Sequence, residues 1–230
     1  EKAGTPGILQ TLKAALAFEV KEAVGIDRIE RREAEMTRKA FERWGSHPGI
    51  EILGNPDPAR RVGIISFNIR DPKGQYLHPR LITTLLNDLF GIQSRAGCSC
   101  AGPYGHQLLG IDEHKAEEYR TWITRGYHGI KPGWCRVGFH YVFDEDELEY
   151  LLKCVEFVAE QGHRFVHRYH FDARSGGWQH KDWQPQALSF SIQEALQSDR
   201  RETLPLSDEA RSQLYRSYLE QAVALAQQVS

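Results

Sequence analysis

The segment Arg95-Ala96-Gly97-Cys98-Ser99-Cys100-Ala101-Gly102-Pro103-Tyr104-Gly105-His106 gathers residue types that do covalent chemistry. A cysteine reacts as its thiolate, and neighbouring cations favour that form. Arg95 upstream and His106 downstream supply such cations, so a cysteine here is a candidate nucleophile. Glycines and a proline make the segment a loop of constrained backbone after a short strand. A pair of small, half-buried thiols in a turn is the structural alternative, and composition leaves both open. A metal site is the third reading, with Cys98, Cys100 and His106 as three ligands. No fourth ligand stands at a usual spacing. Cys135 lies in a predicted strand, where only alternate side chains face a given site. No metal is expected.

The rest of the chain must position that segment. It has 230 residues, enough for one good core with appendages. Apolar residues make up 40% and charged residues 26%, an ordinary globular balance. The net charge of −2 gives no basic excess for nucleic acid. No apolar run approaches the roughly 20 residues that span a bilayer, and residues 1–7 lack a signal-peptide layout. The four cysteines (Cys98, Cys100, Cys135 and Cys154) are too few and too irregular for a disulfide scaffold. Free thiols and a cytoplasmic location are expected. The abrupt start, without an initiator Met, suits a fragment of something longer.

Thr5-Pro6 is expected to open a first helix, with Thr5 as N-cap. Leu9, Leu12, Leu16, Val20 and Ala23 recur at helical spacing, and Gly25 ends the run. A second helix is predicted over about Asp27–Trp44, charged enough that one face must be solvated. Glu51–Gly54 and Arg61–Ile69 predict strands, Pro79–Phe90 a helix, Ile92–Ala96 a short strand and Asp112–Arg125 a helix capped by Asp112. Trp134–Tyr141 predicts a strand. Asp144–Gln161 predicts a helix with a capping-box pair in Asp144 and Glu147. Phe165–Phe171 and Trp178–His180 suggest a hairpin around Ser175-Gly176-Gly177. Trp183–Pro205 is the least regular stretch, and Asp208–Gln228 predicts a final helix. The expected class is α+β, one small sheet with helices on one face.

Five short motifs fall in an order that resembles one family. Arg95-x-Gly97-x-x-Cys100-Ala101-x-Pro103 is similar to the loop of cysteine desulfurases related to class V aminotransferases. Gly4-Thr5-Pro6 resembles the segment before that family's long helix, and Ser66-Phe67-Asn68 its S-F-N strand. Leu77-His78-Pro79 resembles the opening of the following helix, and Arg136 in Trp134-Cys135-Arg136-Val137-Gly138-Phe139 the strand after the loop. The match covers roughly Gly4 to Val158.

The resemblance implies a fold-type I enzyme dependent on pyridoxal 5′-phosphate, with the cofactor between a large and a small domain at a homodimer interface. Residues 1–162 would be the small domain with its leading interdomain helix. Residues 163–230 would be an extension packed on it, and the large cofactor-binding domain would be absent. It further implies that Cys100 takes sulfur from L-cysteine as a persulfide, leaving alanine, and passes it to an acceptor protein. Arg136 would hold the amino-acid carboxylate. Arg95 would order the loop and the substrate end of the site, with Gly97, Cys98 and His106 supporting. Thr5 would reach the cofactor phosphate of the partner subunit.

His78 reads as a structural turn histidine. His114-Lys115 and His180-Lys181 have neither the position nor the context of the family's Schiff-base lysine, and Lys2 is not that lysine either. This chain alone is therefore expected to be inactive. Cys98 stands where such loops more often carry His. Two other functions stay open: another class V reaction, such as an aminotransferase, lyase or epimerase-like one, in which Cys100 is not a nucleophile, and a non-catalytic interaction module.

Overall fold

A computed structural model describes residues 4, 7–98, 102–185, 191–197 and 206–229. The chain runs α1 (Ile8–Val24), α2 (Ile26–Trp44), β1 (Ile50–Ile52), β2 (Ile64–Ile69), α3 (Pro79–Phe90), β3 (Arg95–Gly97), α4 (Gly102–Leu109) and α5 (Glu113–Thr124). It continues with β4 (Trp134–Gly138), α6 (Glu145–Gln161), β5 (Tyr169–Asp172), β6 (Gly177–His180), α7 (Ile192–Gln197) and α8 (Asp208–Gln228). Short 3-10 turns occupy Pro58–Arg60, His128–Ile130 and Gly162–Arg168.

The main sheet is antiparallel throughout, in the order β1-β2-β4-β3. Strand period fixes its two faces. Ile65, Phe67 and Ile69 of β2 and Cys135 and Val137 of β4 point one way and are buried. Met36, Ala40 and Trp44 of α2, Leu81, Ile82, Leu85 and Leu86 of α3, and Leu148, Leu152, Val155 and Val158 of α6 complete that core. The alternate residues turn to the other face, where Ile64 and Gly138 are exposed and Ser66 and Arg136 half-buried. This is the α+β class expected, with helices on one face of a small sheet.

The charged face of α2 is only partly solvated. Arg32 and Lys39 reach Glu145 at 2.7 and 2.5 Å, and Arg43 reaches Glu149 at 2.8 Å and also binds Glu156. A ladder of ion pairs thus ties α2 to α6. The apolar stripe of α1 is a second departure, since α1 buries none of its residues. Its N-cap position is Gly7, while Thr5 and Pro6 lie outside the described residues.

After residue 161, the 3-10 turn, β6 and α8 pack on α3 or α6. Ala222, Ala226 and Val229 join the core, and Tyr215 stacks on Tyr150 with centroids 4.2 Å apart. The β5–β6 hairpin sets Phe171 and Trp178 against His78. Residues 165–168, where the first hairpin strand was expected to start, instead belong to the Gly162–Arg168 3-10 turn, which buries Phe165.

Candidate functional site

Pairing across the sheet builds the site. Ser66 lies opposite Arg136, and Arg136 opposite Arg95. Directly opposed residues of antiparallel strands share a face, with Cβ atoms roughly 5 Å apart. A hydroxyl and two guanidiniums therefore form one row on the face away from the core. Like charges in opposition are unfavourable unless something neutralises them. Among the described residues, neither the Arg95 nor the Arg136 side chain makes a hydrogen bond or an ion pair. Two planar donors without an acidic partner make a site for a carboxylate, which guanidinium binds through two parallel hydrogen bonds.

The cysteine segment leaves the end of the same strand. Gly97 has φ +129°, a conformation open to glycine and strained for other residues. Gly133, just before β4, crosses it so closely that a Cβ there would lie 2.7 Å from the Gly97 Cα. The two glycines let the backbones touch, and this contact fixes how the loop departs from the sheet. Sequence reasoning did not single out Gly133, although Pro132-Gly133 before a strand was the available signal. Gly133→Ala is expected to lower unfolding stability by about 1–3 kcal/mol through overpacking. A urea midpoint measurement checks it.

Cys98 follows, half-buried and free. Cys100, the expected nucleophile, lies outside the described residues, as do Ser99 and Ala101. Beyond them the expectation of a continuous loop fails, because Gly102–Leu109 is helical. Pro103 near its start suits the first turn, where its missing N–H costs nothing. Gly105 is buried against the Trp134 ring, with an added Cβ 3.4 Å away. Tyr104 lies beside Gly54 and Arg61, and Arg61 donates to the Leu53 and Asn55 carbonyls at 3.0 and 2.6 Å. Helix α4 is thus held on β4 on one side and on the β1–β2 connection on the other. His106 sits half-buried on this helix rather than in a loop.

The other two thiols are set apart. Cys135 donates to the Pro79 carbonyl at 3.0 Å on the core face, opposite in direction to Arg136. Burial pushes the Cys135 and Cys154 thiols well above their ordinary range, so neither supplies a thiolate. A loop thiol is left as the candidate nucleophile.

His78 is a structural cap, as expected. Its Nδ1 accepts the Arg80 N–H at 3.2 Å at the start of α3, and its Nε2 meets the Gly129 carbonyl at 2.8 Å. That pattern fits one neutral tautomer, with Nε2–H donating. Burial holds its pKa below the ordinary 6.5, and the Arg80 charge acts in the same direction. A depressed base binds fewer protons folded than unfolded. Its contribution to stability is therefore complete above about pH 6.5 and lost as pH falls through the folded value. Comparing melting temperatures between pH 7.5 and 5 in the parent and in His78→Gln should show a flatter profile in the variant.

The donor set also tests the implied cofactor. Pyridoxal phosphate needs an amine for its aldehyde and a cradle for its phosphate. The four strands of the main sheet contain no lysine. The row of Ser66, Arg136 and Arg95 fits the carboxylate end of an amino acid bound to such a cofactor. It does not fit the cofactor's covalent attachment.

The family model "Aminotransferase class-V" matches residues 2–151. A probable cysteine desulfurase of Staphylococcus aureus is 40% identical over 102 residues, covering 44% of this chain and 23% of its own length. One from Staphylococcus epidermidis is 38% identical over 124 residues, covering 54% and 28%. This chain thus spans about a quarter of the length of these curated relatives. The apo structure of a cysteine desulfurase from Thermococcus onnurineus NA1 superposes with a TM-score of 0.53 at 26% identity, covering 69% of this chain and 32% of that one.

Proposed function

We propose that this chain, which belongs to the aminotransferase class-V family, is the small-domain part of a cysteine desulfurase. The observation that carries the reading is the unpartnered Arg95–Arg136 pair at the root of the cysteine segment. The carboxylate anchor and the thiol loop are two ends of one short strand, so a small amino acid held by the first lies near the second.

Arg136 and Arg95 bind and orient the substrate carboxylate, and Ser66 lines the same row. Bound pyridoxal phosphate supplies the electron withdrawal that labilises bonds around the amino acid's α-carbon. The Cys100 thiolate attacks the sulfur of L-cysteine. The carbon–sulfur bond breaks as the sulfur–sulfur bond forms, leaving a persulfide on Cys100 and releasing the carbon skeleton as alanine once a proton is added. The Gly97–Gly133 contact fixes the root of the loop, and Cys98 and His106 flank its thiol. The persulfide then passes to an acceptor protein.

The remaining parts follow the resemblance. Residues 1–162 form the small domain with its leading helix, and residues 163–230 an extension on it. A large domain outside these residues supplies the Schiff-base lysine. Thr5 meets the cofactor phosphate of a partner subunit in a homodimer. The location is the cytoplasm. Among the described residues no helix is long and apolar enough to cross a membrane.

The test is alanine release from L-cysteine by the full-length gene product loaded with pyridoxal phosphate. Stoichiometric alanine and sulfide in the presence of a thiol reductant supports the reading. No alanine from a fully loaded protein sinks it.

A further inference from the structure

A cavity of about 560 Å³ opens beside the arginine row, between the end of the sheet and helices α6 and α8. Its size lies within the range of small-molecule sites. The side chain of cysteine, one carbon and one sulfur, would leave most of it empty. Its apolar walls are Phe90, Ile92, Phe143 and Leu151, with the ring of Tyr215 contributed by the C-terminal helix. Stacking on Tyr150 holds that ring in place.

The polar groups of the cavity divide into occupied and free. The Tyr150 hydroxyl donates to the Phe90 carbonyl at 2.9 Å. Glu147 accepts the Asp144 N–H at 3.1 Å and lies 4.0 Å from Arg211, which offsets its charge. The Arg95 and Arg136 side chains, also in the lining, have no hydrogen-bond or ion-pair partner among the described residues. The Ser94 hydroxyl, buried in the wall, makes no hydrogen bond. The groups without a hydrogen bond are thus two cations, the Ser94 and Tyr215 hydroxyls and the exposed Gln93 amide, set beside aromatic and branched apolar walls.

We propose that this cavity binds an organic carboxylate with an aromatic or branched apolar body. The carboxylate sits on Arg95 and Arg136, and the body lies against Tyr215, Phe143 and Phe90. The proposal rests on the reading above in one respect, the assignment of the two arginines to a carboxylate. It is independent of the sulfur chemistry. Such a ligand competes with the amino-acid substrate for the arginine pair, and helix α8 sets which bodies are accepted.

The test is calorimetric titration of this 230-residue chain with 3-phenylpropionate, beside propionate and 3-phenylpropan-1-ol. A dissociation constant of about 1 mM or tighter is expected for 3-phenylpropionate, consistent with its handful of buried atoms. Binding at least about tenfold weaker is expected for the probe lacking the ring and for the probe lacking the charge. Tyr215→Leu should weaken 3-phenylpropionate about fivefold, the loss of an aromatic contact. Gly138→Leu offers a second check. A Cβ at Gly138 meets nothing closer than 3.8 Å, so the variant is expected to fold with a side chain in the cavity. It should abolish binding while the melting temperature holds.

No saturable binding of 3-phenylpropionate overturns the proposal. So does equal binding of propionate, or binding unchanged in both variants. Alanine release by the full-length protein without this binding sinks the cavity ligand alone. Binding without alanine release sinks the desulfurase reading alone.

Discussion

Replacing Cys100 by serine in the full-length, cofactor-loaded protein is expected to lower alanine release from L-cysteine by on the order of 10²–10⁴-fold. A hydroxyl has nearly the shape of a thiol, but it is not ionised near neutral pH and does not form a stable bond to sulfur in this role. Cofactor binding and substrate binding should persist, because the Arg95–Arg136 row is untouched. The signature is therefore a collapse of turnover with the cofactor's absorption and its response to L-cysteine retained. Cys98→Ser is the matched comparison. Cys98 is half-buried two residues earlier. Retained alanine release in Cys98→Ser beside its loss in Cys100→Ser assigns the persulfide to Cys100. Full activity in Cys100→Ser would remove the nucleophile and favour another class V reaction, an aminotransferase or a lyase, on the same scaffold.

Phe67→Ala is expected to lower unfolding stability by about 3–5 kcal/mol. Phe67 is 0% exposed at the centre of the sheet's covered face. Its ring lies 5.6 Å from that of Trp44, which in turn lies 6.2 Å from Phe139. Truncation removes the transfer free energy of the ring and leaves a cavity that Trp44 on a packed helix cannot readily fill. The loss should appear as a lower urea midpoint at unchanged slope. Ser66→Ala, one residue away on the other face, should change stability little, since it leaves this core intact. A comparable loss in both variants would contradict the assignment of the two faces.

Much of the local structure was legible because it is set by near neighbours. The bounds of α3 (Pro79–Phe90) and α8 (Asp208–Gln228) match those expected. The Asp144–Glu147 capping box is formed from both sides, with Asp144 accepting the Glu147 N–H at 2.8 Å. Asp112 caps α5 as expected. Strand ends were less legible. Arg61–Ile69 shortens to Ile64–Ile69, and Trp134–Tyr141 to Trp134–Gly138. Pairing length depends on what lies opposite, which no local pattern contains. Gly102–His106 was read as loop because glycine and proline argue against helix. It is helical because Gly105 lets a turn approach Trp134 from a distant strand.

By itself the sequence determined the α+β class, the order of helices and strands apart from α4 and α7, the thiol segment and the motifs that place the chain in its family. These follow from side-chain period, capping chemistry and short spacings, all local along the chain. Only the tertiary structure decided that Ser66, Arg136 and Arg95 stand in one row, that Gly133 crosses Gly97 beneath the loop, and that Tyr215 closes a cavity beside the arginines. The reason is strand register and helix docking. Register brings residues about 30 to 70 positions apart onto one face. Docking of α8 on α3 and α6 carries Tyr215 to the wall of that cavity from the far end of the chain, and the pairing and packing energies that select both arrangements reside in contacts between segments.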